Sequence, residues 1–239
     1  MNLLFRLKHR ITHIRFHPIR VFLFHQVAEV YDPSQCHTCD WMHIDQFKAI
    51  ITELKKYYSF ISLSQAYQHL CHDFFRLKRY AVLSCDDGSA CLKNILPWLR
   101  DQCIPITLFI NGKYLDGISY RESPAERYLS EIELNSLDYD GVEIAHHGWE
   151  HKDMTVMEWG QFTDSVARNI KAIKKHPNYI PFWAYTWGKH TREQDDYLRS
   201  LGIIPVLIDG MKNYQERNQI HRELLDGLRL HDLDLQGDK

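Results

Sequence analysis

The chain has 239 residues, 44% hydrophobic and 13% aromatic, enough for one sizeable core in a single domain. Twenty-nine Lys and Arg against 31 Asp and Glu leave the charge near balance, without the basic footprint of a nucleic-acid binder. No run of about 18 apolar residues occurs, so no transmembrane helix is expected, and the fifteen histidines are the one compositional excess.

Residues 1–19, MNLLFRLKHRITHIRFHPI, read as a basic amphipathic leader. It lacks a long apolar stretch and a small-residue cleavage site, so no secretory signal is expected. A solvated leader is the plain reading, and contact with a membrane surface is the alternative. Cys36, Cys39, Cys71, Cys85, Cys91 and Cys103 form no even framework, which fits reduced thiols in a cytoplasmic protein. Cys36-His37-Thr38-Cys39 is a lone CxxC, weak evidence for zinc without a second pair.

Arg20 to His25 (RVFLFH) reads as a buried strand. Phe47, Ile50, Ile51 and Leu54 recur at helical spacing within Asp45 to Tyr58. A short helix with a serine cap is expected over Ser64 to Leu70. Tyr80 to Cys85 (YAVLSC) is the next strand, followed by a helix over Leu92 to Gln102 and a strand over Ile104 to Ile110. Ser130 to Leu137 reads as a helix, Gly141 to Ala145 as a strand, and Trp159 to Lys175 as a long amphipathic helix. Phe182 to Tyr185, Arg192 to Leu201 and Ile203 to Ile208 then give strand, helix and strand. This alternation predicts βα units on a parallel sheet, open or closed into a barrel.

Polar clusters follow three of these strands. Asp86-Asp87-Gly88 follows YAVLSC, His146-His147 follows VEIA, and Thr186 to Gly188 follows FWAY. Active sites of parallel α/β folds are built at strand C-termini. Taken alone, Asp86-Asp87-Gly88 also reads as a turn with a helix cap. His147 and His151 are four apart, which on a helical turn places both imidazoles on one face; a pair of exposed loop histidines is the alternative. Two His and one Asp around an ion leave a position open for water, the catalytic rather than the structural arrangement.

Together these segments resemble the polysaccharide deacetylases of carbohydrate esterase family 4, the NodB-homology domain. Ser84-Cys85-Asp86-Asp87-Gly88 resembles the family's Thr-Phe-Asp-Asp-Gly, and His147-Gly148-Trp149-Glu150-His151 its His-Ser/Thr-x-x-His. Gly141-Val142-Glu143-Ile144 resembles the Gly-His-Glu-Ile leading into that motif, and Trp183 to Gly188 the Phe-Ala-Tyr-Pro-Tyr-Gly motif. Phe24-His25-Gln26-Val27, Ile104 to Ile110 and Ile220-His221-Arg222 resemble framework segments, so the likeness runs in order from Arg20 to Asp226.

The resemblance implies a deformed (β/α) barrel of about seven parallel strands, with residues 20–239 as one catalytic domain. It implies a divalent ion, most commonly Zn2+, on Asp87, His147 and His151. Asp86 becomes the catalytic base, and a backbone N–H near Trp187 helps to hold the oxyanion. The general acid falls on His231, in Leu230-His231-Asp232, with a tail histidine as the alternative; His25 is the next group able to take that role. The Arg that many members carry to orient the base is absent from Trp183-Ala184, and Arg222 is the candidate to replace it from another strand. Tyr185, Trp187 and Arg222 are the expected substrate contacts, and Trp149 and Trp183 either stack on sugar or pack the barrel end. The implied activity is metal-dependent removal of an N-acetyl group from an amino sugar, in surface-polysaccharide biosynthesis. A hydrolase of another amide bond and a non-catalytic glycan binder are the alternatives. The expected partner is an N-acetylated sugar or glycan, with no nucleic acid.

Overall fold

The computed structural model describes residues 17–30, 41–72, 78–116, 128–137, 141–214, 218–226 and 229. His231, Cys36, Cys39 and residues 1–16 of the leader lie outside the described residues. Seven parallel strands close into a ring. In spatial order they are β1 (Ile19–Phe24), β10 (Ile220–Leu224), β9 (Ile204–Ile208), β8 (Tyr179–Ala184), β7 (Val142–His146), β6 (Ile106–Ile110) and β5 (Tyr80–Cys85). β5 then pairs with β1 along its whole length, from Ile19↔Tyr80 to Phe24↔Cys85.

The ring is deformed at β5. One edge of β5 belongs to β1. The other edge is divided: Tyr80 and Ala81 pair with the two-residue β4 (Ser59–Phe60), while Ser84 and Cys85 pair with β6. A separate small sheet joins β2 (Gln26–Ala28) to β3 (Trp41–His43).

Side chains alternate across each strand. The inward set includes Val21, Val82, Phe109, Ala145, Phe182, Ala184, Val206 and Ile220, which form one buried cluster with Leu63, Ala66 and Leu70 of α2 (Leu63–His72). Helix α2 therefore plugs the N-terminal end of the barrel, with Tyr67 edge-on to Phe182 at 5.4 Å. The outward set, including Phe22, Leu83, Leu108 and Ile144, packs on α1 (Ile44–Leu54) and α3 (Leu96–Asp101). A third cluster packs Trp183, Tyr185 and Leu207 against Phe162 and Val166 of α5 (Trp159–Ile173) and Leu198 of α6 (Arg192–Ser200).

The helix expected over Leu92 to Gln102 is split. A 3-10 turn covers Ala90–Asn94 and α3 begins at Leu96, with Pro97 in its first turn, where a missing N–H is tolerated. The short α4 (Glu131–Asn135), within the helix expected over Ser130 to Leu137, opens with a capping box, Ser130 with Glu133.

Helix α2 is capped by a serine, but by Ser62 and not Ser64: the Ser62 hydroxyl accepts the Gln65 N–H at 3.3 Å. It starts at Leu63, and the carboxylate of Glu143 from β7 accepts the backbone N–H of Leu63 at 2.9 Å and of Ser64 at 3.3 Å. The hydroxyls of Ser64 and Thr107 also donate to Glu143. An inward-facing acid on the barrel wall thus meets the positive end of the plugging helix. Glu143→Ala removes these acceptors and is expected to lower stability by roughly 1–3 kcal/mol, read as a drop in the urea midpoint with an unchanged slope.

Candidate metal centre at the barrel mouth

Asp86 directly follows β5, and the strand's inward alternation carries that carboxylate into the barrel beside Ser84. The next two residues both take left-handed backbone, Asp87 at φ 69° and Gly88 at φ 75°. A Cβ on Gly88 would lie 2.7 Å from Ile110 Cδ1, so the second position needs glycine. Asp87 is an L-residue held in a conformation costing of order 1–3 kcal/mol, the kind of strain retained at functional sites.

His147 follows β7 and points inward. Its Nδ1 lies 3.0 Å from the carbonyl oxygen of Ala184 on the neighbouring strand. A carbonyl only accepts, so Nδ1 carries the hydrogen and Nε2 presents its lone pair. That Nε2 sits 3.2 Å from Asp87 Oδ1, and His151 Nε2 sits 3.1 Å from the same oxygen. All three ligand atoms lie within 4.8 Å of one another. His147 and Asp87 are almost completely buried, with side chains 2% and 4% exposed.

His147 and His151 do not share a helical turn. Residues 147–153 form a bent loop. Gly148 turns at φ 89°, Asn111 Nδ2 donates to the carbonyl of His147 at 2.6 Å, and the Tyr114 hydroxyl accepts the His151 N–H at 3.1 Å. Nothing in the sequence pattern pointed to Asn111 or Tyr114, since their loop follows a different strand.

His147 Nε2 and Asp87 Oδ1 at 3.2 Å would set lone pair against negative oxygen unless a proton or a metal ion lay between them. Two imidazole nitrogens and one carboxylate oxygen are the donor set of zinc and related ions. The residues therefore fit a divalent ion.

Asp86 is fully buried and has a second partner. Arg222, from β10, approaches it with both terminal nitrogens, Nη1 to Oδ1 at 2.6 Å and Nη2 to Oδ2 at 2.9 Å. The guanidinium lies over the Phe109 ring, 4.9 Å from its centroid and within cation–π reach. Burial pushes the Asp86 carboxyl up, but the charge of Arg222 and its hydrogen bonds outweigh it and hold it below the usual value. Asp86 Oδ2 stands 3.9 Å from His147 Nε2, so the aspartate adjoins the candidate metal site.

His25, just after β1, occupies the same mouth. Its Nδ1 meets Asp226 Oδ2 at 2.5 Å. Burial lowers the His25 pKa, yet the Asp226 hydrogen bond and the charges of Asp87, Asp226 and Asp86 raise it to about 10. Asp226 was missed in the sequence. Its signal was available, since it follows β10 as Asp86 follows β5.

Other expected residues lie elsewhere. Tyr185 has no exposed surface, and its hydroxyl donates to Asp195 at 2.8 Å. Arg222 likewise has none. The expected substrate contact therefore does not hold for Tyr185 or Arg222 in this geometry: the barrel wall encloses both, and Arg222 is committed to Asp86. Trp183 is also fully buried, as barrel-end packing requires. Trp187 is 64% exposed, adopts φ 61°, and stands edge-on to His151 at 4.9 Å. His146 faces outward, between the Tyr179 hydroxyl at 3.1 Å and Asn169 Nδ2 at 3.2 Å. Burial drives its pKa down to about 3, so it is a neutral packing residue apart from the three ligand atoms.

Residues 76–206, more than half of the chain, match the model of the family described as polysaccharide deacetylase. No curated protein sequence matches the chain. Among solved structures, IcaB from Ammonifex degensii is similar with a TM-score of 0.73 at 17% identity, over 88% of this chain and 93% of that one. The deacetylase PplD from Streptococcus pyogenes, solved with acetate, reaches 0.74 at 16% identity, over 93% of this chain and 98% of its own. A de-N-acetylase from Aggregatibacter actinomycetemcomitans reaches 0.68 at 16% identity, over 87% of this chain and 95% of its own. At such identities the likeness is one of fold.

Arg222→Met leaves the Asp86 carboxylate buried without its partner and is expected to destabilise by about 3–5 kcal/mol at neutral pH. With Arg222 present, the folded Asp86 pKa is lowered, so its stabilisation is complete above the unfolded value of about 3.9 and is lost only as pH falls below that. In the variant, burial acts unopposed by Arg222, and the deficit is expected to shrink between pH 7 and pH 4. Urea melts at the two pH values check this.

Proposed function

The chain belongs to the polysaccharide deacetylase family, and we propose that it hydrolyses the N-acetyl group of an amino sugar in a glycan or glycan precursor. The observation that carries the reading is Asp87, His147 and His151 converging on one point beside the buried Asp86. Asp87 Oδ1, His147 Nε2 and His151 Nε2 would hold a divalent ion, with zinc favoured by the two imidazoles and one carboxylate. When bound, such an ion supplies Lewis acidity, acidifying a water to a pKa near ~7 and polarising an amide carbonyl.

The chain's own groups supply the rest. Asp86 accepts a proton from the attacking water. A carboxylate held below its usual value is a weak base, and only an acidified water matches it. Arg222 keeps Asp86 ionised and fixes both of its oxygens, taking the orienting role the Trp183-Ala184 segment does not fill. The Thr186 and Trp187 amides open a short turn, where N–H groups have no partner inside the helix; they would donate to a developing oxyanion. His25 would protonate the departing amine. Its raised pKa keeps it protonated at neutral pH, and Asp226 holds its ring.

The deacetylase relatives of similar fold support acetate as the released product. A role in surface-polysaccharide assembly is part of the proposal. So is a cytoplasmic location, to which cysteines outside disulfides, such as Cys85 and Cys103, are suited.

The test is metal content by mass spectrometry, followed by release of acetate, formate or ammonia from a panel of N-acylated sugars. The expected result is roughly one transition-metal ion per chain, as three-ligand sites bind, lost in His147→Ala, with acetate as the product. Asp86→Asn and His25→Gln are each expected to lower kcat by about 10²–10⁴-fold with metal retained. A wild-type chain that takes up no metal after reloading would sink the mechanism, and formate or ammonia in place of acetate would change the bond.

A further inference from the structure

The first turn of α6 touches both the loop that carries His151 and the strand end that orients His147. It presents two buried polar side chains in succession, Gln194 and Asp195. Gln194 Nε2 donates to the carbonyl of Met154, three residues beyond His151, at 2.8 Å. Asp195 Oδ1 accepts the Tyr185 hydroxyl at 2.8 Å, and Asp195 Oδ2 lies 3.1 Å from His190 Nδ1. A carboxylate only accepts, so that imidazole nitrogen carries a hydrogen. The His190 ring also stacks on the Tyr185 ring, 5.2 Å away and inclined by 22°. Burial, and then the charge of Asp195, push the Tyr185 hydroxyl well above its ordinary value, so it is a fixed donor. The chemistry at the metal centre makes no use of Asp195, yet this carboxylate is almost fully buried, which is costly unless its hydrogen bonds are kept.

Tyr185 links this outer network to the site. Ala184, directly before it, gives its carbonyl to His147 Nδ1 at 3.0 Å. Thr186 and Trp187, directly after it, carry the two amides proposed for the oxyanion. The turn they form is tightly set. Trp187 is left-handed at φ 61°, and a Cβ on Gly188 would lie 3.3 Å from Ile208 Cβ. Such backbone persists only where its surroundings over-determine it. The Gly188 N–H donates to the Tyr185 carbonyl at 3.0 Å, and the Thr186 hydroxyl donates to the Lys152 carbonyl. The Tyr185 side chain supplies the remaining anchor, and it ends on Asp195.

We propose that Asp195 is a positioning residue. Through the Tyr185 hydroxyl it fixes residues 184–187, so that one carboxylate on the outer side of the wall sets both the orientation of His147 toward an ion and the direction of the two amides. The effect on the amides rests on the deacetylase reading. The effect on His147 rests only on the metal site. Partners one layer behind a metal ligand typically change metal affinity or activity by about 10–100-fold.

Asp195→Ala removes the acceptor, and Tyr185→Phe removes only the donor, so the test stands even if the first variant does not fold. Asp195→Asn keeps an oxygen for the Tyr185 hydroxyl and is the conservative rescue. Glu143→Ala, which loses stability at the opposite end of the barrel, is the control for destabilisation. Zinc affinity would be read by competition with a chromogenic chelator, which needs no activity. The values of kcat and KM would be measured at saturating zinc on the best substrate of the N-acylated panel. Asp195→Ala and Tyr185→Phe are each expected to weaken zinc binding roughly tenfold or more. At saturating zinc each is expected to lower kcat about tenfold or more with KM within about twofold, because an interaction made in the transition state is lost. The two combined are expected to lose no more than either alone, since both act through one bond. Asp195→Asn is expected to recover most of the zinc affinity, and Glu143→Ala to keep all of it. Unchanged zinc affinity in Tyr185→Phe, an equal loss in Glu143→Ala, or a raised KM with unchanged kcat would each overturn the proposal. Weakened zinc binding in the variants of a chain that releases no acetate would sink the deacetylase reading alone. Acetate release with zinc affinity and kcat unmoved by the variants would sink the role of Asp195 alone, and a wild-type chain that binds no zinc would sink both.

Discussion

The buried ion pair between Asp86 and Arg222 organises the mouth of this barrel. Neither residue has exposed surface, so each charge has given up water and depends on the other. Arg222 reaches Asp86 from β10, and β1 lies between β10 and β5. The contact therefore exists only when three strands hold one register. A slip of β10 by one residue would turn Arg222 outward and His221 inward, leaving a carboxylate alone in the core. The pair couples the strand pairing of the wall to the ionisation state of the proposed base.

Two adjacent aspartates acquire different roles from that constraint. Asp86 continues the inward alternation of β5 and meets a guanidinium. Asp87 leaves the strand through left-handed backbone and meets two imidazoles. One carboxylate is thereby held ionised by a fixed cation inside the protein, and the other faces donors that suit a metal ion. Adjacent groups of the same type are separated in function by environment, as acid/base chemistry requires. His25 follows the same logic, since it lies beside Asp86 because β1 pairs with β5 along its full length.

Much of this was legible in the chain. Hydrophobic runs of five or six residues, bounded by Asp, Gly or His, marked the strands, and the ordered motifs marked Asp86, Asp87, His147 and His151. The errors have local causes. The serine cap of α2 was placed at Ser64, whereas Ser62 caps the Gln65 N–H and Glu143, about 80 residues away along the chain, accepts those of Leu63 and Ser64. Tyr185 and Trp187 were grouped by proximity in sequence, yet strand alternation and one left-handed residue send the first into the wall and the second to the surface. Asp226 carried the same strand-then-aspartate pattern as Asp86, but its partner is 201 residues distant.

The sequence by itself determined the alternation of βα units, the residue types able to hold an ion, and their order along the chain. These depend on local periodicity and on side-chain chemistry, which are properties of short segments. Closure of the ring was decided by tertiary structure, because β5 divides one edge between β4 and β6 while keeping the other for β1. Tertiary structure also decided that Arg222 faces Asp86 and that the Ala184 carbonyl selects the His147 tautomer. Such contacts join strands far apart in sequence, and their geometry exists only once the barrel has closed.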